Sequence, residues 1–192
     1  MPPAEPHIET ERTVLRLGRD EDAAALLAFF MRNREYHKPW EPRAGEDFYT
    51  LATQRALLAR RRADYADGRS ACLLGFDRGS PNGDVIARIN FSEIVRGPFQ
   101  ACYLGYAVDR AYEGKGYMTE ALLVATRWAF KELRLHRIMA NYQPRNERSG
   151  RLLERLGFVR EGLAHQYLFI DGEWKDHVLT SLTVEAATEG GA

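Results

Sequence analysis

Residues 113 to 118, Glu-Gly-Lys-Gly-Tyr-Met, place Gly114 and Gly116 around Lys115, after an apolar run and ahead of a stretch with helical periodicity. Glycines between a strand and a helix are where backbone N–H groups take up phosphate oxygens, and three such chemistries compete for this segment. A nucleotide P-loop requires a glycine five residues before the Gly-Lys pair and a Ser or Thr after the Lys. Those positions hold Asp109 and Gly116, so nothing would ligate magnesium. A dinucleotide fingerprint requires Gly or Ala three residues after Gly116, where this chain has Thr119, and the run before it belongs to a meander rather than a βαβ unit. A glycine turn at a helix N-terminus, whose free N–H groups and positive dipole end receive a pyrophosphate without metal, fits the order of residues. On the local pattern a plain strand-to-helix connection remains open beside it.

Other chemistry-bearing residues are sparse. Asn146 and Ser149 follow Pro144 and read as the N-cap and third residue of a helix. The five histidines, at 7, 37, 136, 165 and 177, show no metal-ligand spacing. Cys72 and Cys102 lie in apolar strand-like runs as buried free thiols, and Cys102 has no His partner to activate it. Twenty-seven basic side chains balance twenty-seven acidic ones, so no global field draws the chain to nucleic acid. The triplet Arg60-Arg61-Arg62 reads as a solvated helix face. The N-terminus has no apolar leader pattern and no run of eighteen apolar residues exists, which points to the cytoplasm.

The elements that position these residues follow from periodicity. At 192 residues the expectation is one domain over residues 8–184 with flexible termini at 1–7 and 185–192. Residues 8–17 read as a strand. Asp20 then caps a helix with apolar positions Ala23, Leu26, Leu27, Phe30 and Met31. Tyr36 to Pro42 is a loop interrupted by Pro39 and Pro42, leading to a helix near 47–65. Three strands, 70–77, 84–95 and 101–109, are separated by the turns SPNGD and RGPF. After the glycine pair, Met118, Ala121, Leu122, Ala125, Trp128, Ala129 and Leu133 mark a helix. A strand at 137–143, a helix at 146–156 closed by Gly157, and strands around 158–163, 165–170 and 174–184 complete the chain. The fold class is α+β: an α/β sandwich with a mixed sheet.

At this point the chain resembles the GNAT superfamily of acetyl-CoA-dependent N-acetyltransferases, whose elements have this order. Their pyrophosphate loop carries Gln/Arg-x-x-Gly-x-Gly/Ala; here Glu113 takes the first position, Gly116 the first glycine and Met118 the last. The two departures match a branch, the Rim-type ribosomal-protein-alanine N-acetyltransferases. KPWEP (38–42), NFSEIVRGPFQACYLGY (90–106), EGKGYMTEAL (113–122), HRIMANYQPRNERSGRLLERLGF (136–158) and YLFIDGEWKDHVLTSL (167–182) resemble that branch in the same order. The resemblance implies a mostly antiparallel seven-stranded sheet flanked by helices and splayed between the fourth and fifth strands.

It also implies acetyl transfer from acetyl-CoA, with no metal, by direct attack of an α-amine, above all the N-terminal alanine of a ribosomal protein. The alternatives are another small amine or peptide, or a CoA-binding ribosome assembly or regulatory factor without turnover. The family's cofactor contacts map onto Tyr106, Ala107, Val108, the loop Glu113, Gly114, Lys115, Gly116, Tyr117 and Met118, and Asn146. Ala107 and Val108 would present N–H groups to the thioester oxygen. The family's usual tyrosine acid is replaced by Leu153, and the branch points instead to Ser149 as proton donor. Glu41 and Glu93 are the candidate bases, since Gln166 stands where related enzymes have an acidic residue; Trp40, Glu41 and Asn90 would line the acceptor. A base-poor site suits an α-amine, which needs about 1.4 kcal/mol to become neutral at pH 7 where a lysine needs about 4.6. A monomer or homodimer is expected, the sequence leaving open which, and the lack of a long apolar run argues against a membrane partner.

Overall fold

The computed structural model describes residues 4–80 and 83–185. The strands are β1 His7–Glu9, β2 Thr13–Leu17, β3 Ala71–Asp77, β4 Val85–Val95, β5 Ala101–Val108, β6 Arg137–Tyr142, β7 Val159–Ile170 and β8 Glu173–Thr183. The helices are α1 Ala23–His37, α2 Leu51–Ala66, α3 Tyr117–Glu132 and α4 Glu147–Arg155. All eight strands form one sheet in the order β1-β2-β3-β4-β5-β6-β8-β7, and every pairing is antiparallel except β5 with β6.

Every residue of β3 from Ala71 to Phe76 is buried, because helices cover both faces of the sheet there. Leu73 packs with Leu15, Ile89 and α3 on one face. Leu74, one residue on, packs with Leu26, Phe29 and Leu58 of α1 and α2 on the other.

The eighth strand is a correction to the expected seven. Residues 8–17 do not run straight: the Thr10 N–H donates to the Thr13 carbonyl at 2.8 Å and the two hydroxyls meet at 2.7 Å, folding the segment into the β1–β2 hairpin. At the other end the two expected strands at 158–170 are one strand, β7, with register shifts between Arg160 and Gly162 and between Ala164 and Leu168. The inward face of α1 also differs from its expected stripe. Phe29 is buried where Met31 is 53% exposed, because Phe29, Phe30 and His37 stack as a group toward the sheet. The helix is led in by a 3-10 turn over Asp20–Asp22, and Asp22 rather than Asp20 accepts the entering Arg19 N–H, at 2.7 Å. Residues 4–7, expected to be flexible, are tied down. The Tyr65 hydroxyl donates to the Ala4 carbonyl at 2.8 Å, Glu5 pairs with Arg62, and His7 enters β1. Residues 1–3 and 186–192, and Pro81 and Asn82 of the SPNGD turn, lie outside the described residues.

The expected splay is present. Parallel pairing of β5 with β6 stops at Tyr103↔Met139, although β5 continues to Val108 and β6 to Tyr142. The last turn of β5 therefore has one bare edge, and α3 and α4 both begin beside it.

Candidate active site

A cleft of about 1930 Å³ enters the sheet at this splay. Its lining includes Trp40, Glu41, Asn90, Tyr106, Ala107, Val108, Glu113, Gly114, Gly116, Tyr117, Met118, Asn146 and Ser149, so thirteen of the fifteen residues expected from sequence share one cavity. Glu93 and Lys115 do not. Glu93 is exposed in the irregular stretch of β4 between Ser92 and Val95, with φ of 51°, and the bulge turns it away from the cleft. The Lys115 side chain points to solvent, and its carbonyl accepts from Arg12 Nη1 at 2.9 Å.

The glycine turn is a built N-terminus. Gly116 caps α3 with φ of 82°, and Gly114 also sits in the left-handed region at 72°, conformations that cost a side-chain-bearing residue about 1 kcal/mol or more. The first backbone bond of α3 runs from the Glu120 N–H to the Gly116 carbonyl, so the amides before it stay outside the helical ladder and face the cleft mouth. Arg12 clamps this turn: Nε donates to Glu120 at 2.7 Å, and the guanidinium lies 4.3 Å over the Tyr117 ring. The Glu113 carboxylate is engaged by the Tyr36 hydroxyl and by Arg148, which removes its negative charge from the approach to those amides. Its N–H donates to the Arg110 carbonyl, so Glu113 contributes structure to the turn rather than a free amide.

The direction of the β5 amides refines the expectation for Ala107 and Val108. Asp109 N–H donates to the Ile86 carbonyl at 2.8 Å, and the register pairs Ala107 with Arg88. Antiparallel alternation then commits the Ala107 amide to β4 and turns the Tyr106 and Val108 amides to the bare edge. Ala107 is corrected on that ground: its amide is spent in the ladder, and its side chain packs against the α1–α2 cluster. The Val108 carbonyl accepts from His37 Nε2 at 3.0 Å. Burial is the largest influence on His37 and holds its pKa below the usual value.

Asn146 caps α4, its Oδ1 accepting the Ser149 N–H at 3.3 Å. The cap fixes Ser149 on the first turn, and Gly150 lets the helix come close: a Cβ there would stand 2.9 Å from the Tyr142 ring. Ser149 Oγ then lies 2.6 Å from the Tyr106 hydroxyl. Burial pushes the Tyr106 phenol up to about 12, with the bond to Ser149 acting in the opposite sense. The pairing of the two hydroxyls was not anticipated from sequence, where Tyr106 figured as a cofactor contact and Ser149 as a lone proton donor. The signal lay in the alternation along β5, which turns Tyr106 to the face opposite Ala107 and toward α4.

The acceptor side is roofed by residues 38–42. The Pro39 carbonyl accepts from Gln143 Nε2 at 2.9 Å, Arg145 stacks 5.1 Å from the Trp40 ring, and the Asp171 N–H donates to the Glu41 carbonyl at 3.2 Å. The Glu41 carboxylate is paired with Arg88, so it is not a free base. Gln166 sits at the β7 bulge with its N–H on Asp176, outside the cleft. Burial raises Cys102 to about 12, and as a fully buried thiol it offers no nucleophile.

The chain is similar to known proteins over most of its length. The [ribosomal protein uS5]-alanine N-acetyltransferase of Escherichia coli K12 is 44% identical over 183 residues, 95% of this chain and 93% of that one. The ribosomal-protein-S5-alanine acetyltransferase of Vibrio fischeri superposes with a TM-score of 0.88 at 38% identity, covering 93% of this chain and 97% of that one. Mycobacterium smegmatis RimJ, solved in complex with CoA-disulfide, gives 0.84 at 29% identity over 92% of this chain and 86% of its own. Residues 12–159 match the model described as acetyltransferase (GNAT) domain, and the chain belongs to that family of acetyltransferases.

Proposed function

We propose that this enzyme transfers the acetyl group of acetyl-CoA to the N-terminal α-amine of a ribosomal protein, alanine being the acceptor residue. The observation that carries the reading is that the open amides before α3, the bare β5 edge and the Ser149–Tyr106 pair lie along one cleft. That arrangement fits a co-substrate with a pyrophosphate at one end and an extended amide-bearing arm at the other. The names of the uS5- and S5-alanine acetyltransferases supply the acceptor.

Acetyl-CoA brings the activated acetyl group. The chain's residues do the rest. The amides of residues 114–119 and the dipole of α3 hold the diphosphate, with Asn146 beside the arm. The Tyr106 and Val108 amides at the bare edge pair with the arm and face the thioester oxygen, where negative charge develops. Ser149 Oγ delivers a proton to the departing sulfur while drawing one from the Tyr106 hydroxyl 2.6 Å behind it, and the proton released by the amine returns through solvent to restore Tyr106. Arg88 holds Glu41 as an ion pair, and an α-amine, with a pKa of about 7.7 to 8.0, needs little help to lose its proton. The reaction uses soluble substrates, and we place the protein in the cytoplasm.

Incubation with acetyl-CoA and three peptides tests this: one with N-terminal Ala, one with N-terminal Ser, and one with a blocked N-terminus and a free Lys. A mass gain confined to the Ala peptide, or strongest there, is expected. Acetylation of the Lys peptide alone refutes the α-amine reading.

A further inference from the structure

On the α2 face turned to the sheet, Gln54, Leu58, Arg61 and Tyr65 recur at helical spacing, and one of these inward positions carries a guanidinium. The triplet Arg60-Arg61-Arg62 is thereby divided. Arg60 faces solvent, Arg62 pairs with Glu5, and Arg61 turns into the cleft. Across from it Arg88 rises from β4 over the ring of Phe30, at 4.5 Å, with Glu41 as its ion-pair partner. Two N–H-bearing atoms of this pair, Arg61 Nη1 and Arg88 Nε, are buried without an acceptor among the described residues. Arg61 has no carboxylate partner of its own there; two guanidiniums against the single Glu41 carboxylate leave one uncompensated positive charge. Burial is the largest influence on Arg61 and lowers its pKa; Cys72, Arg88 and Glu41 follow. An arginine keeps its charge even so.

A buried charge with an unused donor is costly unless something pairs it, and the matching group is a planar anion of single charge. The position selects the substrate. Arg88 and Asn90 lie on the same sheet face, two residues apart, and Asn90 pairs across to Gly105, above which a Cβ would meet nothing within 4 Å. Ala107 belongs to this α1–α2 face, whereas Tyr106 packs with the α3–α4 cluster on the opposite one. The guanidiniums therefore flank the acceptor half of the cleft, across the bare β5 edge from Ser149 and away from the α3 N-terminus.

We infer that Arg61 and Arg88 form a carboxylate-binding subsite, so that the enzyme selects an acceptor peptide with an acidic side chain close behind its N-terminal residue. This rests on the peptide-acetyltransferase reading above. The experiment uses C-terminally amidated peptides with N-terminal Ala and either Asp or Asn at position 2, 3 or 4. Binding to the CoA-loaded protein is read by calorimetry and turnover by kcat and KM. At one position the Asp peptide is expected to exceed its Asn counterpart by at least about tenfold, the order of a charge-assisted hydrogen bond, mostly in KM. Arg61→Met and Arg88→Met are each expected to bring that ratio to within about twofold, and Arg61→Lys to retain part of it. Equal binding of Asp and Asn peptides at every position overturns the inference, as does a ratio that survives in both Met variants. A free-acid Ala-Ala dipeptide preferred over its amide, with no Asp effect, also overturns it in favour of a main-chain carboxylate. Because binding is read separately, an Asp preference in calorimetry without acetylation of any peptide supports the subsite while refuting the peptide-acetyltransferase reading.

Discussion

Replacing Ser149 by Ala probes the step that sequence left least defined, the fate of the departing thiolate. The substitution removes Oγ but keeps the Ser149 N–H that caps onto Asn146, so α4 retains its first turn. It leaves the Tyr106 phenol, which burial raises to about 12, without the partner that now stands 2.6 Å away. A buried hydroxyl stripped of its bond loses about 1–3 kcal/mol, which a domain holding ordinary stability survives. The catalytic loss is separate. A positioned acid contributes about 10² to 10⁴ in rate, so kcat at pH 7 is expected to fall at least about a hundredfold, close to 2.7 kcal/mol. Tyr106→Phe removes the hydroxyl that refills Ser149, so it should fall similarly, and the double variant should be no worse than Ser149→Ala alone because the two act in series. The deficit should shrink above about pH 8.5, where a thiolate is an acceptable leaving species without a donor. Steady-state kinetics of peptide acetylation, with circular dichroism to confirm folding, measures all three variants. Activity of Ser149→Ala within twofold of the parent at pH 7, or strictly multiplicative losses in the double variant, would refute the relay.

Two further outcomes follow from the geometry. Gly116→Ala forces a Cβ into φ of 82°, 3.3 Å from Arg12 Nη2, and should weaken acetyl-CoA binding at least about tenfold while lowering stability by about 1–2 kcal/mol; unchanged affinity by calorimetry would separate the turn from the diphosphate. Tyr65, Tyr106, Tyr112 and Tyr167 are all raised to about 12, burial being the first cause in each. Their folded pKa values exceed the unfolded value near 10, so their contribution is complete below pH 10 and is lost as pH rises from 10 toward 12. Denaturant midpoints should fall across that window, and less steeply in Tyr106→Phe; a flat profile would contradict the burial of these phenols.

Much of the scaffold was legible. The helical periodicity from Met118 to Leu133 located α3 to within a residue, since seven apolar side chains on one stripe admit no other element. The Asn146 cap was legible because capping is a local bond between residues three apart. The glycine turn at 114–116 was legible for the same reason, although its left-handed backbone was seen only in the structure. Other features depended on partners distant in the chain. Nothing near residue 93 announces that β4 bulges there, because the bulge is set by its register with β5. Glu41 read as a free carboxylate until Arg88, 47 residues away, was placed on it.

The sequence by itself determined the helices and the central strands, the glycine turn at the head of α3 and the family, all of which rest on local periodicity or on residue strings. Tertiary structure decided which atoms meet. It brought the Tyr106 hydroxyl to Ser149 across 43 residues, turned the Val108 amide rather than that of Ala107 to the open edge, and drew Arg61 out of a run of three arginines into the cleft. Such choices depend on strand register and on which helix face the sheet buries. Register and facing are properties of pairs of elements, and no single stretch of chain contains both members of the pair.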